Sequence, residues 1–181
     1  MKSYLKKTLF VFAGLLFIGG GFFFGQPGKV DAASKEEKKK FGNWSLNCSV
    51  DDKKKQICFL SQQINNTIKG KEQEVLALYQ VGNFGQEKEV KIVETLPANI
   101  LIAPGTSIIS GTQLIAPGKY VNCTLGNCQA VASISQSDLK TILSSDNNFV
   151  GVMTAEGKQV NFPLSKEGLE EGLKALKIKI N

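Results

Sequence analysis

The chain contains no histidine in 181 residues, and this absence excludes more chemistry than any motif supplies. Without imidazole there is no Ser-His-Asp or Cys-His arrangement and no access to the commonest general base. Arginine is missing as well: all 22 basic residues are lysine. A chain without guanidinium has no bidentate fork for phosphates or base edges, which argues against specific nucleic-acid recognition. No phosphate-cradling Walker loop, no Gly-x-Gly-x-x-Gly opening a helix and no Gly-x-Ser-x-Gly elbow occurs. The carboxylate pairs Asp51/Asp52 and Glu170/Glu171 lie in polar contexts that read as a charged turn and a helix face. These gaps leave no catalytic, cofactor-binding or metal-ligating residue to nominate, so the expectation is a non-enzyme without a cofactor.

What is present first is an address. Lys2, Lys6 and Lys7 precede an uncharged apolar run from Thr8 to Gly25 and a small-residue region at Val30-Asp31-Ala32, which is the pattern of a signal peptide over residues 1–32. The alternative is an uncleaved anchor, because eighteen residues at ~1.5 Å rise nearly cross a ~30 Å hydrocarbon core. In both readings the leading lysines stay cytoplasmic and the rest is translocated. Removing residues 1–32 reduces 22 basic and 16 acidic residues to 18 and 15, so the net charge falls from +6 to +3. Residues 33–40, rich in lysine and glutamate, then read as a solvated linker. Residues 41–181 form one domain long enough for its own core.

Period-two alternation dominates that domain. Trp44, Leu46, Cys48 and Val50 alternate with polar residues, so this segment reads as a strand with one buried face, placing Trp44 in the core and Cys48 inward. Further strands are expected at Ile57–Ile64, Val75–Val81, Glu89–Glu94, Ile100–Ala103, Lys119–Thr124, Cys128–Ile134, Phe149–Met153 and Gln159–Leu164. Turn signals between them include Gly82-Asn83, Pro104-Gly105, Pro117-Gly118 and Glu156-Gly157. Many short, regularly punctuated strands indicate a sandwich or barrel. Two helices are expected, one over Ser137–Leu143 capped by Ser137 and one around Leu169, Leu173 and Leu176. Gly168 and Gly172 weaken the second, so it should depend on packing against the sheet.

Four cysteines allow three connectivities. A hairpin centred on Lys53 sets Cys48 opposite Cys58. A two-residue turn at Leu125-Gly126 makes Thr124 and Asn127 a hydrogen-bonded pair and places Cys123 opposite Cys128 at ~4.5 Å between Cα atoms. The rival turn at Gly126-Asn127 would misalign the second pair. Zinc is disfavoured by the spacings and the absence of histidine, and no Cys-x-x-Cys redox motif is present. Local structural bridges are the better reading in an exported chain. Among the aromatics Trp44, Tyr79, Phe84 and Tyr120, Phe84 lies in an expected loop and is the candidate exposed contact.

Phe41-Gly42-Asn43-Trp44 with Cys48, then Cys58-Phe59-Leu60-Ser61-Gln62, resembles the opening of the invasion associated locus B family of bacterial exported proteins. The resemblance continues through Pro117-Gly118-Lys119-Tyr120, Gly126-Asn127-Cys128-Gln129-Ala130, Ala155-Glu156-Gly157-Lys158 and Pro163-Leu164-Ser165, covering roughly residues 41–176. Asn43 stands where the family often has an acidic residue. The resemblance implies an immunoglobulin-like β-sandwich with local cysteine pairing, in the periplasm or outer envelope, and supplies no catalytic residue. The combined expectation is a mainly β domain with one or two short helices and two local disulfides. It would act as an interaction or structural domain for an unidentified envelope protein or surface component, with a small-ligand carrier as the alternative and a histidine-independent hydrolase third. Contact with the membrane would be through the N-terminal segment alone; if that segment is uncleaved, the domain is anchored in the inner membrane and faces the periplasm.

Overall fold

A computed structural model of the chain describes residues 39–50, 54–66, 74–84 and 89–180. The expected leader, most of the linker and the turn centred on Lys53 lie outside them. Ten strands form one antiparallel sheet in the order β1-β2-β3-β4-β5-β8-β7-β6-β9-β10. They are β1 (Lys39–Phe41), β2 (Trp44–Val50), β3 (Gln56–Asn66), β4 (Glu74–Gly82), β5 (Val90–Pro97), β6 (Thr106–Ser110), β7 (Gln113–Cys123), β8 (Asn127–Ile134), β9 (Asn148–Met153) and β10 (Gln159–Pro163). Helices α1 (Gln136–Ser144) and α2 (Leu169–Ala175) complete the fold. The mainly β class, the two short helices and the two local disulfides all agree with expectation.

The layering originates in β7. Residues Gln113 to Gly118 pair with β6, whereas Gly118 to Cys123 pair with β8, so Gly118 alone has a partner on both sides, Thr106 and Ala132. Pro117-Gly118 is therefore a bend within an eleven-residue strand and not the turn expected there. The strand changes neighbours at this corner, as strands do where one sheet passes into a second layer. A proline fits because it carries no N–H for a ladder on the new side. Beyond the corner, β6, β9 and β10 return over the first layer, and the Tyr79 hydroxyl of β4 donates to the Phe162 carbonyl of β10 at 3.3 Å. Apolar residues of both halves, including Leu60, Ile92, Ile108 and Val150, share one core.

Several expectations need correction. Ile100–Ala103 is not a strand; Ile100 makes a single bridge to Thr154, and Leu101 and Ile102 are exposed. The neighbouring segment 106–110 takes the strand role, its alternate residues Thr106, Ile108 and Ser110 facing inward. The domain begins two residues early, since Lys39 and Lys40 pair with Leu46 and Ser45. Helix α1 is capped by Ser135, not Ser137: Ser135 Oγ accepts from Asp138 N at 3.2 Å, and the Asp138 carboxylate accepts from Ser135 N at 2.8 Å, a reciprocal capping box. At the other end of α1, Asn148 Nδ2 donates to Ile142 O and Ser145 O. The glycines of α2 have a positive role. A Cβ on Gly172 would stand 2.6 Å from the Leu60 methyls, and Gly168, at φ +80°, lies directly against the Phe41 carbonyl. The intrinsic weakness of α2 is what permits its close approach to the sheet.

Candidate functional site

Both cysteine pairs close as direct cross-strand partners, Cys48 with Cys58 and Cys123 with Cys128. Their Cα atoms are 4.1 and 4.0 Å apart. Thr124 N donates to Asn127 O at 2.8 Å, as the Leu125-Gly126 turn requires. The bridges occupy different surroundings: Cys48 and Cys58 are half-buried, whereas Cys128 is buried and Cys123 exposed. Phe84 is half-buried, its ring centroid 6.0 Å from that of Phe59. Among the described residues no cluster of three or more His, Cys, Asp or Glu side chains could hold a metal.

The structure brings together two sets of residues that the sequence keeps far apart. The first joins the start and the end of the domain. Trp44 is fully buried, and its Nε1 donates to Ser165 O at 2.8 Å, while Ser165 N donates to Gln62 Oε1 at 3.0 Å. Asn43 N donates to Glu167 O at 3.1 Å, and Asn43 Nδ2 donates to Ser165 Oγ at 2.9 Å and Glu167 Oε2 at 3.1 Å. The motifs Phe41–Trp44, Ser61-Gln62 and Pro163–Ser165 thus form one polar knot. An acidic side chain at position 43 would face the Glu167 carboxylate; asparagine donates to it instead.

The second set is buried and was not anticipated. Glu94 follows Val90 and Ile92 on the inward face of β5 and precedes Leu96, and its side chain has no exposed surface. Its cross-strand partners are Tyr79 on β4 and Ala130 on β8, and Ala130 in turn faces Tyr120 on β7. Thr106 approaches from β6, in the space left by Gly118: a Cβ there would run into the Thr106 hydroxyl and stand 3.5 Å from Glu94 Oε2. Among the described residues, both Glu94 oxygens, Thr106 Oγ1 and the Tyr120 hydroxyl are buried without a hydrogen-bond partner. Burial raises the Glu94 carboxyl to about 7, against a smaller lowering by the adjacent Thr106 hydroxyl. Burial also pushes the Tyr120 phenol up to about 12, with the Glu94 charge adding to it, and raises Tyr79 for the same two reasons. The signal was present in the sequence: an acidic residue occupies an apolar beat of the Val90-Ile92-Glu94-Leu96 alternation.

Concave surface lies elsewhere. A trough of about 180 Å³ runs over Gly151 between Ser107, Ile109, Met153 and Gln159. A hollow of about 550 Å³ beside α2 is edged by Asp146, Lys166, Glu167, Glu170 and Glu171. Neither is lined by Glu94.

Comparison with known proteins fits this architecture. The crystal structure of invasion associated protein b from Bartonella henselae superposes with a TM-score of 0.66 at 18% identity, covering 77% of this chain and 94% of that one, which establishes a shared fold. A search of curated proteins found no match. The family model described as Invasion associated locus B (IalB) protein matches residues 44–177, from the buried tryptophan of the knot to the end of α2, and the chain belongs to that family.

Proposed function

We propose that this protein is a non-enzymatic interaction or structural domain of the bacterial envelope, exported by its N-terminal segment and facing an envelope protein or surface component. The observation that carries the reading is the clipped β7–β8 hairpin. Its tip residue Leu125 is fully solvent-exposed, Val121 on the adjoining bulge is 63% exposed, and the Cys123–Cys128 bridge holds the base. A rigid apolar tip is a low-entropy contact, since little ordering remains to be done on binding. Two disulfides suit an oxidising compartment and support the export reading. Trp44 and Tyr79, by contrast, are fully buried in the core.

Two observations weigh against the rivals. A hydrolase would need its perturbed carboxyl in a cleft, whereas Glu94 is sealed from solvent. A carrier needs an apolar hollow of roughly 300 Å³ or more with a few converging polar groups, whereas the Gly151 trough is smaller and the larger hollows are edged by charge: the one beside α2 by Asp146 and Lys166, one of about 480 Å³ past its C-terminal end by Lys174, Lys177 and Lys179, and one of about 380 Å³ at the start of α1 by Glu89 and Asp138.

Placing a photo-crosslinking residue at position 125 of the full-length chain in cells tests the proposal, with position 158 on the exposed 154–158 turn as control. A discrete adduct from 125 and none from 158 is expected. Identical products from both positions, or none from 125, would overturn the assignment.

A further inference from the structure

We propose that Glu94, enclosed by Tyr79, Thr106 and Tyr120 at the corner where β7 changes layers, is a proton-binding site that makes the fold tighter in acid than at alkaline pH. Every strand packed around the carboxyl contributes to the argument. Strand β4 offers the Tyr79 phenol, whose hydroxyl already donates to Phe162 O. Strand β7 offers the Tyr120 phenol and the side-chain-free Gly118, β6 offers the Thr106 hydroxyl, and β8 offers only Ala130. No lysine is among the buried residues described, so no cation balances the carboxylate. Three hydroxyls and a carboxyl form a set that accommodates a neutral acid, which can donate one hydrogen bond and accept others. The same set receives an uncompensated negative charge only at a cost, because the surroundings cannot solvate it.

Composition isolates the effect. Histidine is absent, and all four cysteines are in disulfides. Ordinary carboxyls titrate below pH 5 and lysines above pH 10. Among the described residues, Glu94, raised from 4.5 to about 7, is placed to titrate in between. In the folded state it keeps its proton to about 7, whereas in the unfolded chain it releases it near 4.5. The contribution to stability is complete below 4.5 and is lost as pH rises through 7. Ionisation acts at the contact between Glu94 and the Gly118–Thr106 pair, so the return of β6, β9 and β10 over the first layer is the part expected to loosen.

The test is chemical denaturation of the full-length oxidised protein between pH 5 and pH 8, beside Glu94→Gln. In the native chain the folding equilibrium constant should fall on the order of 100-fold across this range. In the variant, which keeps the shape and loses the proton, it should stay constant within a few-fold. Equal pH profiles for the two proteins would overturn the proposal. Should Glu94→Gln fail to fold, carbon-13 NMR titration of the Glu94 carboxyl in the native protein decides. A midpoint near 7 supports the site, and one below 5 refutes it.

Discussion

Two polar assemblies join distant strands of this domain, one partly exposed around Ser165 and one buried around Glu94, and they are built in opposite ways. Around Ser165, each group described has a counterpart: the indole N–H, the Ser165 amide and the Asn43 amide all donate to named acceptors. Around Glu94, two carboxyl oxygens and two hydroxyls stand together unpartnered. A satisfied network fixes geometry, and the contacts among Trp44, Gln62 and Ser165 involve no titratable group. An unsatisfied one at the centre of a sheet responds to any change in its charge. The contrast separates parts that hold the fold together from a part that can report on its surroundings.

The sharpest way to break the first assembly is Trp44→Ala, which removes its largest buried side chain. Thermal or denaturant unfolding should show a loss of about 3–5 kcal/mol, enough to unfold a marginal domain. Next comes Glu94→Gln in the opposite direction. At pH 8 it should stabilise by about 3 kcal/mol, the free-energy equivalent of a carboxyl raised from 4.5 to about 7, and at pH 4 it should change little. Gln62→Leu strands the half-buried Ser165 amide and should cost roughly 1 kcal/mol at every pH. The smallest effect belongs to Asn43→Asp, which sets a carboxylate against Glu167 in an exposed position. Roughly 0.5 kcal/mol should be lost at pH 7 in low salt, and less in high salt, which screens the pair.

The two assemblies also differed in how far sequence reasoning could reach them. Trp44 was placed in the core by simple alternation, and both disulfides by hairpin register, because these are local relations within about ten residues. That Trp44 should meet Ser165, or that Gln62 should accept from the same residue, is a contact across more than a hundred positions in the chain. Strand periodicity carries no such information. Pro117-Gly118 illustrates a different limit. The residues signal a break in the ladder, and the break is real, yet a break can be a turn or a bend between layers, and only the partners on either side distinguish the two. Glu94 is visible as an acidic residue on an apolar beat, but a strand tolerates one such exception, so the sequence alone assigns it no role. Its meaning depends on Thr106 and Tyr120, brought near it from β6 and β7, with Gly118 leaving the space for Thr106. Helix α2 shows the reverse case, in which a low intrinsic propensity is the consequence of a tight contact with Leu60.

One assembly is thus scaffold and the other a proton site. The most direct test is the slope of unfolding free energy against pH between 5 and 7, measured side by side for the native chain, Gln62→Leu and Glu94→Gln. Parallel falling lines are expected for the native protein and Gln62→Leu, the second displaced downward, and a flat line for Glu94→Gln. A sloping line for Glu94→Gln, or a flat one for the native chain, would contradict that assignment.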